Sequence, residues 1–210
     1  MTALHLRRRG AILEIMAGPV VLLSSAALET ELAFGRLPAA ILGRPPSRVL
    51  VGVLGFGATV RGALEVAAPN GRVVVAEKVD EVVELVRGEL AYVAGRPLAD
   101  PRVTVERADV LDAMRAASAP GAGFDAVLLD VDNGPHWASF RQNARLYTPA
   151  GLAVARAALT PGGMFAVWSG YPADGFLARL RAAGLAPRRV LLEERGKVRA
   201  RAYVGVTTGA

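Results

Sequence analysis

Apolar and polar stretches alternate along most of the chain, and from residue 47 onward they predict strands and helices in turn. Residues 49–54 form a continuous apolar run, which is typical of a strand covered on both faces of a parallel sheet. Further strands are predicted at 73–76, 103–105, 126–129 and 164–168, with helices at 61–66, 79–94, 110–117, 152–159 and 175–183. Residues 190–192 and 202–206 are expected to pair as a terminal antiparallel hairpin.

Repeated strand–helix units imply right-handed crossovers and an open, doubly wound, mostly parallel α/β sheet. A ligand is then expected beyond the carboxyl ends of the strands, near the switch point of the sheet. Before this region, residues 12–16 and 20–23 predict a β-hairpin and residues 26–37 a helix. The Gly-Arg-Pro-Pro segment at 43–46 cannot continue a helix. We therefore divide the chain into an appendage, 1–46, and an α/β domain, 47–210.

Composition narrows the classes of function. The absence of cysteine excludes disulfides, thiolate metal sites and cysteine nucleophiles, and two histidines are too few for a polyhistidine zinc site. The formal net charge is +6, but the arginines are scattered, so we predict no nucleic-acid partner. The sequence has neither a membrane-spanning apolar run nor a signal-peptide pattern, which predicts a cytoplasmic protein without a membrane partner.

A glycine turn follows the first buried strand. Gly55 and Gly57 flank Phe56, and glycine lets the main chain turn tightly and approach a ligand closely. Glu77 ends the next strand about 20 residues later, where an acidic side chain can accept hydrogen bonds from both ribose hydroxyls of a nucleoside. With the adjacent Lys78, these residues are candidates for a nucleoside-binding site, although plain turn glycines and a surface carboxylate remain the alternative.

The third and fourth strands also end in acidic residues. Asp109, followed by Val110, can accept from an adenine amino group or simply cap the next helix. Asp130 leaves the fourth strand, where it can orient or deprotonate an amine nucleophile, and Asp132 and His136 follow as candidate assistants. Turn chemistry is the alternative for Asp132, and we predict no metal site, although two carboxylates could also hold magnesium.

In this order, the motifs resemble the spermidine synthase family, within the Rossmann-like fold of class I S-adenosylmethionine-dependent methyltransferases. The likeness runs from about residue 20 to residue 168, and its specific pieces are 48–51, 75–77, 80–84, 100–103, 124–130, 146–148 and 159–163. The resemblance implies that Gly55 and Gly57 face the methionine part of a bound donor, Glu77 the ribose and Asp109 the adenine. It also implies that Asp130 is the catalytic aspartate, and it suggests a homodimer.

Two positions depart from the family pattern. Phe56 stands where the family has an aspartate that binds the aminopropyl amine. Thr30 and Glu31 are the nearest positions to the aromatic and the Gln or His of the family's polyamine pocket. We therefore expect a transferase with an S-adenosylmethionine-type donor. Because of Phe56, methyl transfer to a small amine or other small nucleophile is slightly favoured over aminopropyl transfer. Aminopropyl transfer from decarboxylated S-adenosylmethionine and a non-catalytic nucleoside-binding module are the alternatives.

Overall fold

A computed structural model describes residues 4–119, 121–131, 134–135 and 143–208. Its centre is a seven-stranded sheet in the order β6-β5-β4-β7-β8-β10-β9. The first five strands in this order are parallel, while β8–β10 and β10–β9 pair antiparallel. The strands are β4 (Arg48–Gly52), β5 (Arg72–Ala76), β6 (Val103–Glu106), β7 (Phe124–Leu129), β8 (Leu159–Ser169), β9 (Leu185–Glu194) and β10 (Lys197–Thr207). The doubly wound, mostly parallel sheet and its terminal hairpin are thus confirmed.

Six α-helices cover the two faces of this sheet in the described part of the chain: α1 (Leu28–Leu42), α2 (Ala58–Val66), α3 (Asp80–Arg87), α4 (Val110–Ala116), α5 (Pro149–Ala157) and α6 (Gly175–Ala182). Residues of α1, α2 and α3 form an apolar core on one face, and residues of α4, α5 and α6 form a second core on the other. The central strands β4, β5 and β7 are almost fully buried, which explains their continuous apolar runs. Within the described ranges, no helix has the length and apolarity needed to span a membrane.

A separate three-stranded antiparallel sheet precedes α1. It consists of β1 (Leu4–Arg9), β2 (Ile12–Ala17) and β3 (Val20–Ser24). The predicted hairpin corresponds to β2 and β3, and β1 is an additional strand that was not predicted. Leu13 and Ile15 of β2 pack with Phe56 and Leu90 in a third apolar cluster, which attaches this sheet to the main body. Glu14, on the same strand, is buried beneath Arg7 and Arg9, both of which form ion pairs with it. The division of the chain at residue 46 stays a prediction.

Several predicted boundaries were wrong. The helix expected at 79–94 ends at Arg87, because the chain leaves the helix at Gly88, and a 3₁₀ helix (Ala91–Ala94) follows. The helix expected at 152–159 is α5, which begins earlier because Thr148 caps it and Pro149 occupies its first turn. Helix α1 also runs beyond residue 37 to Leu42, and Gly43, which has a positive φ, follows it as the C-terminal cap.

Helices α1 and α2 touch through a pair of glycines. A Cβ atom added to Gly62 of α2 would overlap the carbonyl oxygen of Leu32 and lie 2.9 Å from the Cα of Gly35 on α1. A Cβ at Gly35 would in turn overlap the carbonyl oxygen of Thr59. The missing side chains therefore let the two main chains approach closely, and this brings the start of α1 next to the start of α2.

Asp125 lies at the start of β7, at the end of the strand opposite its carboxyl end, and binds groups of three neighbouring segments. Its Oδ1 accepts from the guanidinium of Arg44 at 2.7 Å and from Thr160 Oγ1 at 3.2 Å, and its Oδ2 accepts from the main-chain N–H of Ser47 at 2.6 Å and of Arg48 at 3.1 Å. Burial pushes the pKa of Asp125 upward, but these hydrogen bonds outweigh it and leave the pKa below its ordinary value. This end of the sheet is thereby joined to the segment that precedes β4.

Candidate functional site

A cavity of about 360 Å³ opens at the carboxyl ends of the parallel strands. Its volume lies in the range of about 300–1,000 Å³ that is usual for small-molecule sites. The four residues predicted from the ends of β5 and β6, Glu77, Lys78, Asp109 and Val110, all line it. Its other walls are Leu23, Val53, Ala76, Val79, Val82, Ala108, Val131, Asn143 and Leu146. An apolar pocket with a few polar groups at one side is suited to a nucleoside.

Glu77 is 4% exposed and is held by the main chain around it. Its Oε2 accepts from the N–H of Leu54 at 3.2 Å, and its Oε1 accepts from the N–H of Val79 at 2.8 Å. Burial raises the pKa of Glu77, while these hydrogen bonds and the charge of Lys78 oppose the rise. Each carboxylate oxygen has a second lone pair, so the side chain can still accept from a ligand hydroxyl.

Asp109 caps a helix and also lines the cavity. Its Oδ1 accepts from the N–H of Leu111 at 3.0 Å and caps α4, as the alternative prediction held. Its Oδ2 is 2.5 Å from a guanidinium nitrogen of Arg145 and 3.8 Å from Nζ of Lys78. Asp109 also lines the cavity, yet its oxygens are engaged by protein groups, so a base that contacts it must share them with Arg145.

The glycine turn has the conformation that its residues suggest. Gly55 and Gly57 have φ values of +55° and +91°, which side-chain-bearing residues rarely adopt. A Cβ at Gly57 would also lie 2.7 Å from Cγ of Pro97. The ring of Phe56, only 2% exposed, packs in the apolar cluster beneath the N-terminal sheet. These three residues are not among those that line the cavity, and Phe56 supplies no polar side-chain group to a ligand.

Asp130 lies beside α1 and α2 rather than in the wall of the cavity. Its N–H donates to the carbonyl oxygen of Gly52 at 2.7 Å, which continues the pairing of β7 with β4. Its Oδ2 accepts from the Oγ1 hydroxyl of Thr59, a 2% exposed residue of α2, at 2.9 Å. The same Oγ1 is 3.4 Å from the carbonyl oxygen of Glu31 on α1. Val131, the next residue, does line the cavity, so Asp130 adjoins it.

Glu31 and Asp130 form an acidic pair. Burial, and then the negative charge of Asp130, raise the pKa of Glu31 well above its usual range. Burial also raises the pKa of Asp130 to about 6, against a lowering by the hydrogen bond from Thr59. Two carboxyl groups that interact in this way titrate as a pair and favour a bound cation between or beside them.

The structure therefore brings the predicted residues together in two neighbouring places. Glu77, Lys78, Asp109 and Val110 share the cavity, and Asp130 lies next to it with Glu31. The predictions for Asp132 and His136 lie outside the described residues. Sequence reasoning did not single out Thr59 or Arg145. Thr59 lies two residues after Gly57, and that position was its only signal.

Comparison with known proteins gives a local match in sequence. The chain is 40% identical over 91 residues to the polyamine aminopropyltransferases of Mycobacterium tuberculosis and Mycobacterium bovis. The matched stretch is 43% of this chain and 17% of those proteins, so it spans about a sixth of the curated relatives' length. No family model matches the chain.

Solved structures share the fold over nearly the whole chain. The spermidine synthase of Thermotoga maritima superposes with a TM-score of 0.75 at 17% identity, over 98% of this chain and 69% of that one. A spermidine synthase in complex with the transition-state analogue AdoDATO gives 0.71 at 15% identity, over 98% and 72%. Human methyltransferase-like protein 13 in complex with SAH gives 0.56 at 20% identity, over 89% and 82%. The chain thus has the fold of spermidine synthases and of methyltransferases, and it is spermidine-synthase-like, as its motifs predicted.

Proposed function

We propose that this protein is a transferase that moves an aminopropyl group from decarboxylated S-adenosylmethionine to an amine. The observation that carries the proposal is the pairing of Asp130 with Glu31 beside the cavity. The local match to polyamine aminopropyltransferases supports the same reaction and moves it ahead of the methyl transfer that Phe56 favoured in the sequence.

The acidic pair fits an amine better than a neutral acceptor. An ammonium group between two carboxyl groups relieves their mutual repulsion and stabilises their charged forms. A neutral hydroxyl or carbon nucleophile offers no such compensation. Because the structure supplies no basic side chain to this pair from the described residues, the cation is expected to come with the substrate.

The cavity supplies the donor side of the proposal. Glu77 would accept from the ribose hydroxyls, and the apolar walls would enclose the adenine. Val53 and Val131 line the side of the cavity that leads toward Asp130. A nucleoside placed there would present its sulfonium arm toward the acidic pair, without any contribution from the ring of Phe56.

The chemistry asks little of the protein, since a sulfonium donor is already activated. The amine nitrogen forms a bond to the carbon next to sulfur, the carbon–sulfur bond breaks, and its electron pair stays on the sulfur. The acceptor nitrogen, which becomes positively charged when the bond forms, then gives up one proton, and Asp130 is the base that would accept it. With a pKa of about 6, Asp130 is mostly ionised at neutral pH. This pKa is also close enough to neutral pH for the carboxyl group to take up and release a proton during the reaction.

Methyl transfer from S-adenosylmethionine is the second candidate, and the placement of Phe56 favours it. A donor that carries a free aminopropyl amine would find an aromatic ring buried in the apolar cluster where the family has a carboxylate. By analogy with broken charged pairs, the loss of such an anchor costs about 2–5 kcal/mol. The acidic pair would then hold the amine acceptor alone.

The experiment that separates these reactions is a donor comparison. Calorimetric titrations with S-adenosylmethionine, its decarboxylated form and methylthioadenosine would be followed by incubation of each donor with putrescine and with cadaverine. Mass spectrometry then identifies the product by the added aminopropyl or methyl group. Products that carry an added aminopropyl group support the proposal, and methylated amines support the second candidate. Binding without any product identifies a non-catalytic nucleoside-binding module, and binding of none of the three ligands refutes a nucleoside site.

A further inference from the structure

We infer that Thr59 is a positioning residue that fixes both the orientation and the ionisation of Asp130. The inference rests on the proposed role of Asp130, but its first test does not depend on any activity. It concerns a residue of α2 that is not among those lining the cavity.

The geometry gives the hydroxyl of Thr59 a choice between two acceptors. Oδ2 of Asp130 lies 2.9 Å from Oγ1, and the carbonyl oxygen of Glu31 lies 3.4 Å from it. A hydroxyl has a single proton and can donate to only one of them at a time. The shorter distance and the negative charge of the carboxylate favour Asp130, because hydrogen bonds to ionised acceptors are the stronger ones.

Thr59 is also held more firmly than a surface threonine. It is 2% exposed, and the glycine contact between α1 and α2 presses its main chain against Gly35. Its side chain is β-branched, which restricts χ1. The donor atom is therefore fixed in place, and Asp130, which follows β7 on the neighbouring strand end, is oriented toward it.

The charged surroundings of Asp130 come from two helices and its own strand. Across the described ranges, the titratable group that interacts with it is Glu31 of α1, and the negative charge of Asp130 raises the pKa of Glu31. Helix α2 contributes the neutral hydroxyl of Thr59, which favours ionisation. Loss of that hydroxyl leaves the effect of burial on the pKa of Asp130 unopposed.

The first test is a titration of the Asp130 carboxyl carbon by ¹³C NMR in the free protein. It is done in a Glu31→Gln background so that the titration of Asp130 does not overlap with that of its interacting partner. Thr59→Val keeps the shape of the side chain and removes the donor, so we expect the pKa of Asp130 to rise by about one unit or more. Thr59→Ser keeps the donor and should restore the original pKa. Thr59→Ala removes the donor without adding a methyl group, and it replaces the valine variant should that one fail to fold.

Thr160→Val is the matched control. Thr160 donates to Oδ1 of Asp125 at 3.2 Å, so this variant removes a threonine–aspartate hydrogen bond at the other end of β7. It should leave the pKa of Asp130 unchanged. An unchanged Asp130 pKa in both Thr59→Val and Thr59→Ala, or a raised pKa that Thr59→Ser fails to lower, would overturn the inference.

The second test measures turnover against pH with whichever donor the comparison above identifies. Thr59→Val should move the acid limb of the kcat profile to higher pH by the same shift that NMR reports, while the KM for the donor stays within about twofold. If the carboxyl titration shifts and the kcat profile does not, Thr59 still sets the pKa of Asp130, and the role of Asp130 as the base is what fails.

Discussion

Gly35 and Gly62 meet face to face where α1 crosses α2, with no room for a methyl group on either. This contact determines how the proposed acceptor side of the site is assembled, because Glu31 and Thr59 lie within about one turn of the two glycines. The carboxyl groups of Glu31 and Asp130 belong to segments far apart in the sequence, and the glycine crossing is what brings them near each other.

Gly62→Ala should therefore destabilise the protein and loosen the site together. The added methyl group would overlap the carbonyl oxygen of Leu32, and overpacking of this kind costs about 1–3 kcal/mol. Urea unfolding measures the change, with Arg61→Ala on the exposed side of the same helix as the control, expected within about 0.5 kcal/mol of the parent. An equal midpoint for Gly62→Ala and the parent would show that the helices can move apart at no cost.

Asp130→Asn should separate binding from chemistry. The amide keeps the size of the carboxyl group and can still accept from Thr59, but it cannot take up a proton, so we expect turnover to fall at least about a hundredfold. Donor affinity, measured by calorimetry, should stay within about tenfold. Asp112→Asn, on the exposed face of α4, is the control and should change neither quantity. Unchanged turnover in Asp130→Asn would remove this residue from the mechanism.

The same substitution should stabilise the protein above pH 6. The folded protein binds a proton at Asp130 up to about pH 6, whereas in the unfolded chain this carboxyl group has an ordinary pKa near 3.9. Stability from this group is therefore present at low pH and is lost as the pH rises from about 4 to about 6, by up to about 3 kcal/mol. Urea midpoints of the parent and Asp130→Asn should diverge over that interval in favour of the variant. Parallel midpoints from pH 4 to pH 8 would contradict a raised pKa.

Glu77→Gln should weaken donor binding more than it weakens the fold. In Glu77 each carboxylate oxygen accepts from one main-chain N–H, that of Leu54 or that of Val79. Glutamine has only one side-chain oxygen, and its NH₂ group cannot accept, so one of the two N–H groups loses its partner. We expect at least a tenfold loss of donor affinity by calorimetry, because a charged acceptor for the ribose hydroxyls is also lost. Glu81→Gln, exposed in the first turn of α3, is the matched control. Equal affinities in the two variants would place the ribose elsewhere.

The sequence predicted the centre of the sheet well and its margins poorly, for a physical reason. The parallel strands are buried on both faces, so β4, β5 and β7 appear as unbroken apolar runs. Strands β9 and β10 carry many exposed residues, and only their most apolar parts at 190–192 and 202–206 were found. Helix α3 was drawn too long because Gly88 lies inside an apolar period that continues through the following 3₁₀ helix.

The candidate site divides in the same way. The sequence indicated Glu77, Asp109 and Asp130 as candidates because each follows the end of a strand, and the carboxyl ends of parallel strands converge. Arg145 was missed because no sequence pattern around it indicates that its side chain forms an ion pair with Asp109, the residue that caps α4. The proximity of Glu31 to Asp130 was missed because it depends on a helix crossing that only the folded chain displays.

The hydrogen bond from the N–H of Leu54 to Glu77 has a consequence for ligand binding. It ties the segment just before Gly55 to the end of the neighbouring strand in the protein alone, so the turn already has its shape when a ligand arrives. The conformational entropy of these residues is lost during folding and is not lost again on association. The proposed donor pocket is in this sense preorganised, and a ligand can bind it without a further loss of conformational entropy in this loop.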